Sequence, residues 1–290
     1  MFEGFERFGI ATSGAQIVGR RGGSGPPLLL LHGYPQTHAM WHKVAPALAA
    51  HFSVVALDLR GYGDSSKPES APDHAPYSKR AMAADMVEVM AALGFDTFAV
   101  CGHDRGGRVA HRMALDHPDA VTRLAVLDIA PTREMYRDAG QEMARAYWHW
   151  FWLTLPEPFP ERAILADPLD FLARKCGSWG SGTGVFAPEA WAEYERCIQD
   201  PATVHAMCED YRAAATIDIA HDDADGGRKV NQPLLAIWGA DGVIERCYDC
   251  LALWRERAAD VRGGAMPGGH YLAEQHPGEL LERLMPFFRP

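Results

Sequence analysis

The stretch Thr97-Phe98-Ala99-Val100-Cys101-Gly102-His103-Asp104-Arg105-Gly106-Gly107 runs from an apolar segment, through a glycine-flanked turn, into a helical pattern. Residues 97–101 predict a strand, and residues 105–117 predict an amphipathic helix. Between them, Gly102-His103-Asp104-Arg105-Gly106 is the G-x-S-x-G turn with aspartate in the serine position, in the strand–turn–helix setting that turn requires. Gly102 and Gly106 leave room for a tight turn and for close strand–helix packing. Such a turn thrusts Asp104 out at the top of a sheet. The plainer alternative is an aspartate that only caps the following helix.

The residue type constrains the reaction. A serine must lose its proton before it attacks, whereas a carboxylate is anionic at neutral pH. Attack by a carboxylate on a saturated carbon leaves an ester that water can hydrolyse. A serine would leave an ether, which water cannot cleave. Asp104 therefore points to alkyl–halide or epoxide chemistry and away from ordinary ester hydrolysis.

Outward from the turn, the chain alternates strands and helices. An antiparallel hairpin is expected over residues 5–20, and buried strands over 27–32, 53–59 and 123–128. A helix is expected over 78–93, where Met82, Met86, Val87, Met90 and Leu93 share a face. This rhythm predicts a mostly parallel sheet covered by helices on both faces. It breaks between about residues 131 and 219, where only helical patterns dense in aromatics occur. It resumes with strands at 233–238 and 260–265 and a C-terminal helix from about Gly278. The expected organisation is an α/β core of residues 1–130 and 220–290 with an inserted helical cap of 131–219.

Composition narrows the partners. The chain has 290 residues, and 28 Lys+Arg against 38 Asp+Glu give a formal net charge of −10. That balance argues against nucleic acid and leaves any anionic substrate to be held by local arginines. The N-terminus shows no signal-peptide pattern, and no apolar run reaches membrane-spanning length. Only Cys247 and Cys250 of the six cysteines form a C-x-x-C, without the context of a redox or zinc motif. Reduced thiols in the cytoplasm are expected. His38 and His42 lack a third ligand nearby in sequence, so no metal is expected, nor any organic cofactor. His221-Asp222-Asp223-Ala224-Asp225 reads as a solvated acidic loop.

A histidine base is expected after the last strand, in Pro267-Gly268-Gly269-His270. The plainer reading of His270 is a buried structural imidazole. Two aspartates end strands where an orienting acid would sit, Asp128 and Asp241, and the residues alone do not separate them. His32-Gly33-Tyr34-Pro35 follows the first buried strand, where backbone donors for an oxyanion would lie.

With these motifs in place, the chain resembles the haloacetate (fluoroacetate) dehalogenases of the α/β-hydrolase superfamily. The likeness covers HGYPQTHAMWHKVAP at 32–46, DLRGYGDSSKP at 58–68, GHDRGGRVAHRMALDHP at 102–118 and VLDIAPT at 126–132. It extends to YWHWFW at 147–152, CEDYRAAATIDIAHD at 208–222 and PGGHYLAEQHP at 267–277. The resemblance implies Asp128 as the acid. It also implies a halide pocket of His149, Trp150 and Tyr211, all hydrogen-bond donors, with Trp179 restricting the pocket and a homodimeric assembly. Arg105 and Arg108, three apart on the first helical turn, share a face and make a fork for a substrate carboxylate. The plainer alternative is that one or both pair with acids such as Asp58.

The expected reaction is hydrolysis of fluoroacetate to glycolate and halide through an aspartyl ester, with Tyr34 and Arg105 N–H groups holding the oxyanion. A soluble epoxide hydrolase with the same nucleophile would instead need two cap tyrosines, such as Tyr211 with Tyr136 or Tyr147. A third reading is a catalytically silent hydrolase fold that serves as a ligand receptor.

Overall fold

In the computed structural model, which describes residues 1–178 and 182–289, eight strands form one sheet in the order β1-β2-β4-β3-β5-β6-β7-β8. They are β1 (Glu6–Ala11), β2 (Gln16–Gly22), β3 (Pro27–Leu31), β4 (Ser53–Leu57), β5 (Phe98–His103), β6 (Val121–Leu127), β7 (Leu234–Gly239) and β8 (Val261–Met266). The β1–β2 and β2–β4 pairs are antiparallel, and the remaining pairs are parallel. Each strand lies within three residues of its expected bounds at either end. The central strands read as continuous apolar runs because both faces are covered: Leu28 to Leu31 and Leu124 to Leu127 are all fully buried.

The order of the strands positions the site. From β3 the chain steps outward to β4, then returns across β3 to continue as β5, β6, β7 and β8. The β3–β5 junction is thus the point where strand order reverses, and the crevice at the carboxyl ends of strands there is where sheets of this kind bind ligands. Leu31 pairs with Gly102 across that junction. The residues just beyond, Gly33-Tyr34 on one side and Asp104 on the other, are therefore brought face to face.

Between β6 and β7 the described residues form helices and no strand. The helix Ile217–Asp225 spans the expected boundary at 219/220. The supposed acidic loop at 221–225 lies in this helix: Asp222 accepts from Arg112 at 2.5 Å and Asp225 lies 2.6 Å from it. The acids are there because a buried arginine of the Arg105–Asp116 helix needs them. Among the described residues no helix is long and apolar enough to cross a membrane.

Candidate active site

Asp104 sits between β5 and the helix Arg105–Asp116 at φ 44° and ψ −112°. Few non-glycine residues adopt positive φ, and holding one there costs about 1–3 kcal/mol. Its side chain does not cap the helix, so the capping alternative is not realised. Instead the Tyr34 N–H donates to Asp104 Oδ1 at 3.0 Å. Glycines make this closeness achievable. A Cβ on Gly33 would stand 2.5 Å from the Asp104 Cβ, and one on Gly106 would stand 2.5 Å from the His32 carbonyl oxygen. Burial raises the Asp104 carboxyl, but His270, Arg105 and Arg108 outweigh it and hold the group below the usual carboxylate range. Asp104 is thus an anion at neutral pH.

His270 follows β8, and its Nδ1–H donates to Asp128 Oδ2 at 2.6 Å. Asp128, at the end of β6 and also at positive φ (51°), accepts a second bond from the Gly239 N–H at 2.9 Å. Asp241 is exposed. Geometry therefore joins Asp128, and not Asp241, to the imidazole. Below it, His103 donates from Nε2 to the His270 carbonyl at 2.9 Å. Burial and the neighbouring His270 hold His103 down at about 3, so it remains neutral.

The plainer alternative for the arginines, pairing with an acid, is realised for Arg105 alone, and the acid is not Asp58. Asp58 is taken by His38, whose Nδ1 lies 2.8 Å from its Oδ1. Arg105 pairs instead with Asp210, through Nη2 at 2.6 Å and Nε at 3.1 Å. Its guanidinium also lies over the Tyr211 ring, 4.2 Å from the centroid. Tyr62 donates to Asp210 at 2.7 Å, and the Lys79 ammonium donates as well. Arg108 makes no ion pair among the described residues. It donates to the Ala130 carbonyl at 3.0 Å and Thr132 Oγ1 at 2.9 Å, and lies over the Trp150 ring at 4.6 Å. Arg105 Nη1 and Arg108 Nε are buried without a hydrogen-bond partner.

The cap side chains close over this floor. His149 stacks on Tyr34, with centroids 5.7 Å apart and planes 13° apart, and meets the edge of Tyr211 at 5.4 Å. Trp150 meets Tyr211 at 6.4 Å and stacks on Tyr147 at 6.1 Å. The Tyr211 and Tyr34 hydroxyls are buried and have no hydrogen-bond partner among the described residues. Burial drives the His149 imidazole well below its ordinary range, so it is neutral. Trp179 lies outside the described residues. Among those residues no group of three His, Cys, Asp or Glu side chains is placed to hold a metal ion.

The family model for the alpha/beta hydrolase fold matches residues 26–249. The chain belongs to the α/β-hydrolase family. This hydrolase is 49% identical to a fluoroacetate dehalogenase of Burkholderia sp., over 99% of its own length and 95% of that protein's. It is 34% identical to a soluble epoxide hydrolase of Corynebacterium sp. strain C12, over 92% of each chain. Among solved structures, a Nostoc sp. PCC 7120 protein provisionally described as an α/β hydrolase superposes with a TM-score of 0.97 at 56% identity, over 99% of both chains.

Two features of the hydrolase's site escaped sequence reasoning. Asp210 neighbours Tyr211 in the chain, but nothing local marks it as the partner of an arginine 105 positions away. Lys175, whose Nζ lies 2.7 Å from His149 Nδ1, occupies a helix with no recognisable motif.

Proposed function

We propose that the hydrolase cleaves the carbon–halogen bond of a small 2-haloacid of the haloacetate class, fluoroacetate in particular. The observation that carries this is the pair of buried guanidinium groups beside the Asp104 anion, with Arg105 Nη1 and Arg108 Nε unpartnered among the described residues. An anionic substrate would be repelled by Asp104 alone. Two cations offset that repulsion and offer charge-assisted bonds to a carboxylate, each contributing about 1.5–3 kcal/mol. An uncharged epoxide gains nothing from them.

The chemistry has two steps. The Asp104 carboxylate displaces halide in line, forming a C–O bond as the carbon–halogen bond breaks, and the halide leaves with the bonding pair. His149, Trp150 and Tyr211 donate hydrogen bonds to the developing anion, which matters most for fluoride with its concentrated charge. His270, oriented by Asp128 through Nδ1–H, then takes a proton from water. The resulting hydroxide attacks the ester carbonyl, with the oxyanion held by the Tyr34 and Arg105 backbone N–H groups. Collapse of the tetrahedral intermediate breaks the bond from the Asp104 carbon to the glycolyl oxygen, which takes the proton from His270 and leaves as the hydroxyl of glycolate. Asp104 releases the remaining proton to solvent and is restored as a carboxylate with one oxygen from water.

For the epoxide reading, one of the two candidate partners of Tyr211 is engaged elsewhere: Tyr136 donates its hydroxyl to the Trp150 carbonyl at 3.3 Å, which leaves Tyr147 for that role. Fluoride release from fluoroacetate, with styrene oxide assayed beside it, tests the proposal. Fluoride without diol is expected. Diol without fluoride would favour the epoxide hydrolase, and neither product would favour the silent receptor. A single turnover in heavy-oxygen water should place the label first in the Asp104 peptide, and its absence there would sink the ester step. We further propose a cytoplasmic homodimer. Five of the six exposed large hydrophobics among the described residues, Trp148, Phe151, Leu155, Phe159 and Leu169 with only Met1 outside, crowd one stretch of the cap. Light scattering on the purified chain tests the assembly.

A further inference from the structure

His149 opens the short helix His149–Trp152, and its ring is almost wholly buried. It stacks on Tyr34, whose own N–H binds the nucleophile. A neutral imidazole has one N–H and one lone pair, and which nitrogen carries the proton depends on the partner of the other. At Nδ1 that partner is the Lys175 side-chain nitrogen, 2.7 Å away. Lys175 comes from a different cap helix, Pro168–Gly177, and is 2% exposed. It also lines a surface cavity of about 440 Å³ with Trp148, Phe171 and Asp170, and His149 is not part of that lining. The lysine thus stands between the cavity and the ring.

An ammonium has three donors and no acceptor. Donating to Nδ1, it requires a lone pair there and places the proton on Nε2. A carbonyl or carboxylate in its place would select the opposite tautomer and turn a lone pair toward any departing anion. We propose that Lys175 is a positioning residue for leaving-group departure: it fixes His149 in the Nε2–H tautomer and backs that donor with a positive charge. The inference rests on the reading of His149 as a halide ligand given above. Burial holds Lys175 well below the ordinary lysine range, against the opposing pull of Cys176 and the Asp104 anion. A bare amine in place of the ammonium would accept from Nδ1–H and select the opposite tautomer, which nitrogen NMR distinguishes. The ammonium also polarises the imidazole, strengthening the Nε2–H bond at the moment charge appears on the halide.

Fluoride needs such a donor more than bromide, because its charge is more concentrated and it is the poorer leaving group. Fluoride, chloride and bromide release from the three monohaloacetates should therefore be measured for the wild-type protein, Lys175→Met and Lys175→Arg. Loss of one oriented donor lowers kcat by about 100-fold in comparable sites. The expected result is a loss of that order for fluoroacetate with Lys175→Met, a change of less than about threefold for bromoacetate, and little change in either KM. Lys175→Arg, which keeps a cationic donor, should recover most of the fluoroacetate rate. An equal loss for all three halides, or no recovery with arginine, overturns the proposal.

A second measurement does not depend on turnover or on the Lys175 variants. Nitrogen NMR of the histidine-labelled wild-type protein, with His149 assigned from His149→Asn, should show Nε2 protonated and Nδ1 bare. A protonated Nδ1 in a neutral ring overturns the inference whatever the kinetics. If the wild-type protein releases no halide but shows the Nε2–H tautomer, the haloacid reading fails while the role of Lys175 toward His149 stands.

Discussion

Arg105 and Arg108 share a helical face, yet only Arg105 is matched by a carboxylate. Removing either cation should therefore have different consequences. Arg108→Gln should lower kcat/KM for a haloacetate by about 10–100-fold, the value of one charge-assisted bond, with little change in stability. Arg105→Gln should also destabilise the fold by about 3 kcal/mol, because Asp210 would stay buried with only Lys79 and Tyr62 beside it. Urea titrations beside steady-state kinetics separate the two effects. The asymmetry could not be read from the sequence. The positions of Asp104 and His270 were legible because each sits in a short motif whose local geometry fixes where it stands in the fold. The partner of Arg105 was not, because the contact is made by folding a distant helix onto the elbow.

At the scale of elements, the strands were legible because parallel, doubly covered strands must be apolar throughout, and four to six such residues in a row are hard to mistake. The small cap helices were not. Thr132–Arg137, Gln141–Ala146 and His149–Trp152 have six, six and four residues, at most two turns, too few for a period of 3.6 to repeat convincingly. The aromatic cluster at 147–152 would on pattern alone be a core stripe, and packing bears that out in part, since Trp150 and Tyr147 are both buried. The elbow helix packs tightly on the end of β3. A Cβ on Gly106 would meet the His32 carbonyl oxygen at 2.5 Å and the Leu31 carbonyl carbon at 2.6 Å, both backbone atoms that cannot swing aside. Gly106→Ala should cost about 3 kcal/mol through overpacking, read as a lower urea midpoint. It should also reduce activity by moving Asp104 off the Tyr34 N–H.

Across the whole molecule, the core and the helical segment meet at a buried carboxyl that sets a pH dependence. Glu274 accepts from the Tyr194 hydroxyl at 2.8 Å, and burial pushes its carboxyl up to about 7. The folded value lies above the ordinary 4.5, so between these limits the folded state binds more protons than the unfolded chain. Stability contributed here is present at low pH, falls as pH rises through that window and levels off above about 7. Glu274→Gln, neutral at every pH, should flatten this slope and gain about 3 kcal/mol near pH 8, since each tenfold change in proton affinity corresponds to roughly 1.4 kcal/mol. The difference between the two urea-derived stability curves is the quantity to compare, since other groups titrate in the same range.

The division of labour along the chain has a consequence for descent. In the proposed mechanism Asp104, Asp128 and His270 attack and then hydrolyse, and these three flank the helical segment. The residues proposed to face the departing atom or to steady the arginine, His149, Trp150, Lys175, Asp210 and Tyr211, all fall within residues 149–211. That stretch can be inherited as a cassette. Exchanging it between related hydrolases would change what leaves the carbon while preserving what attacks it, and two crossover points would suffice.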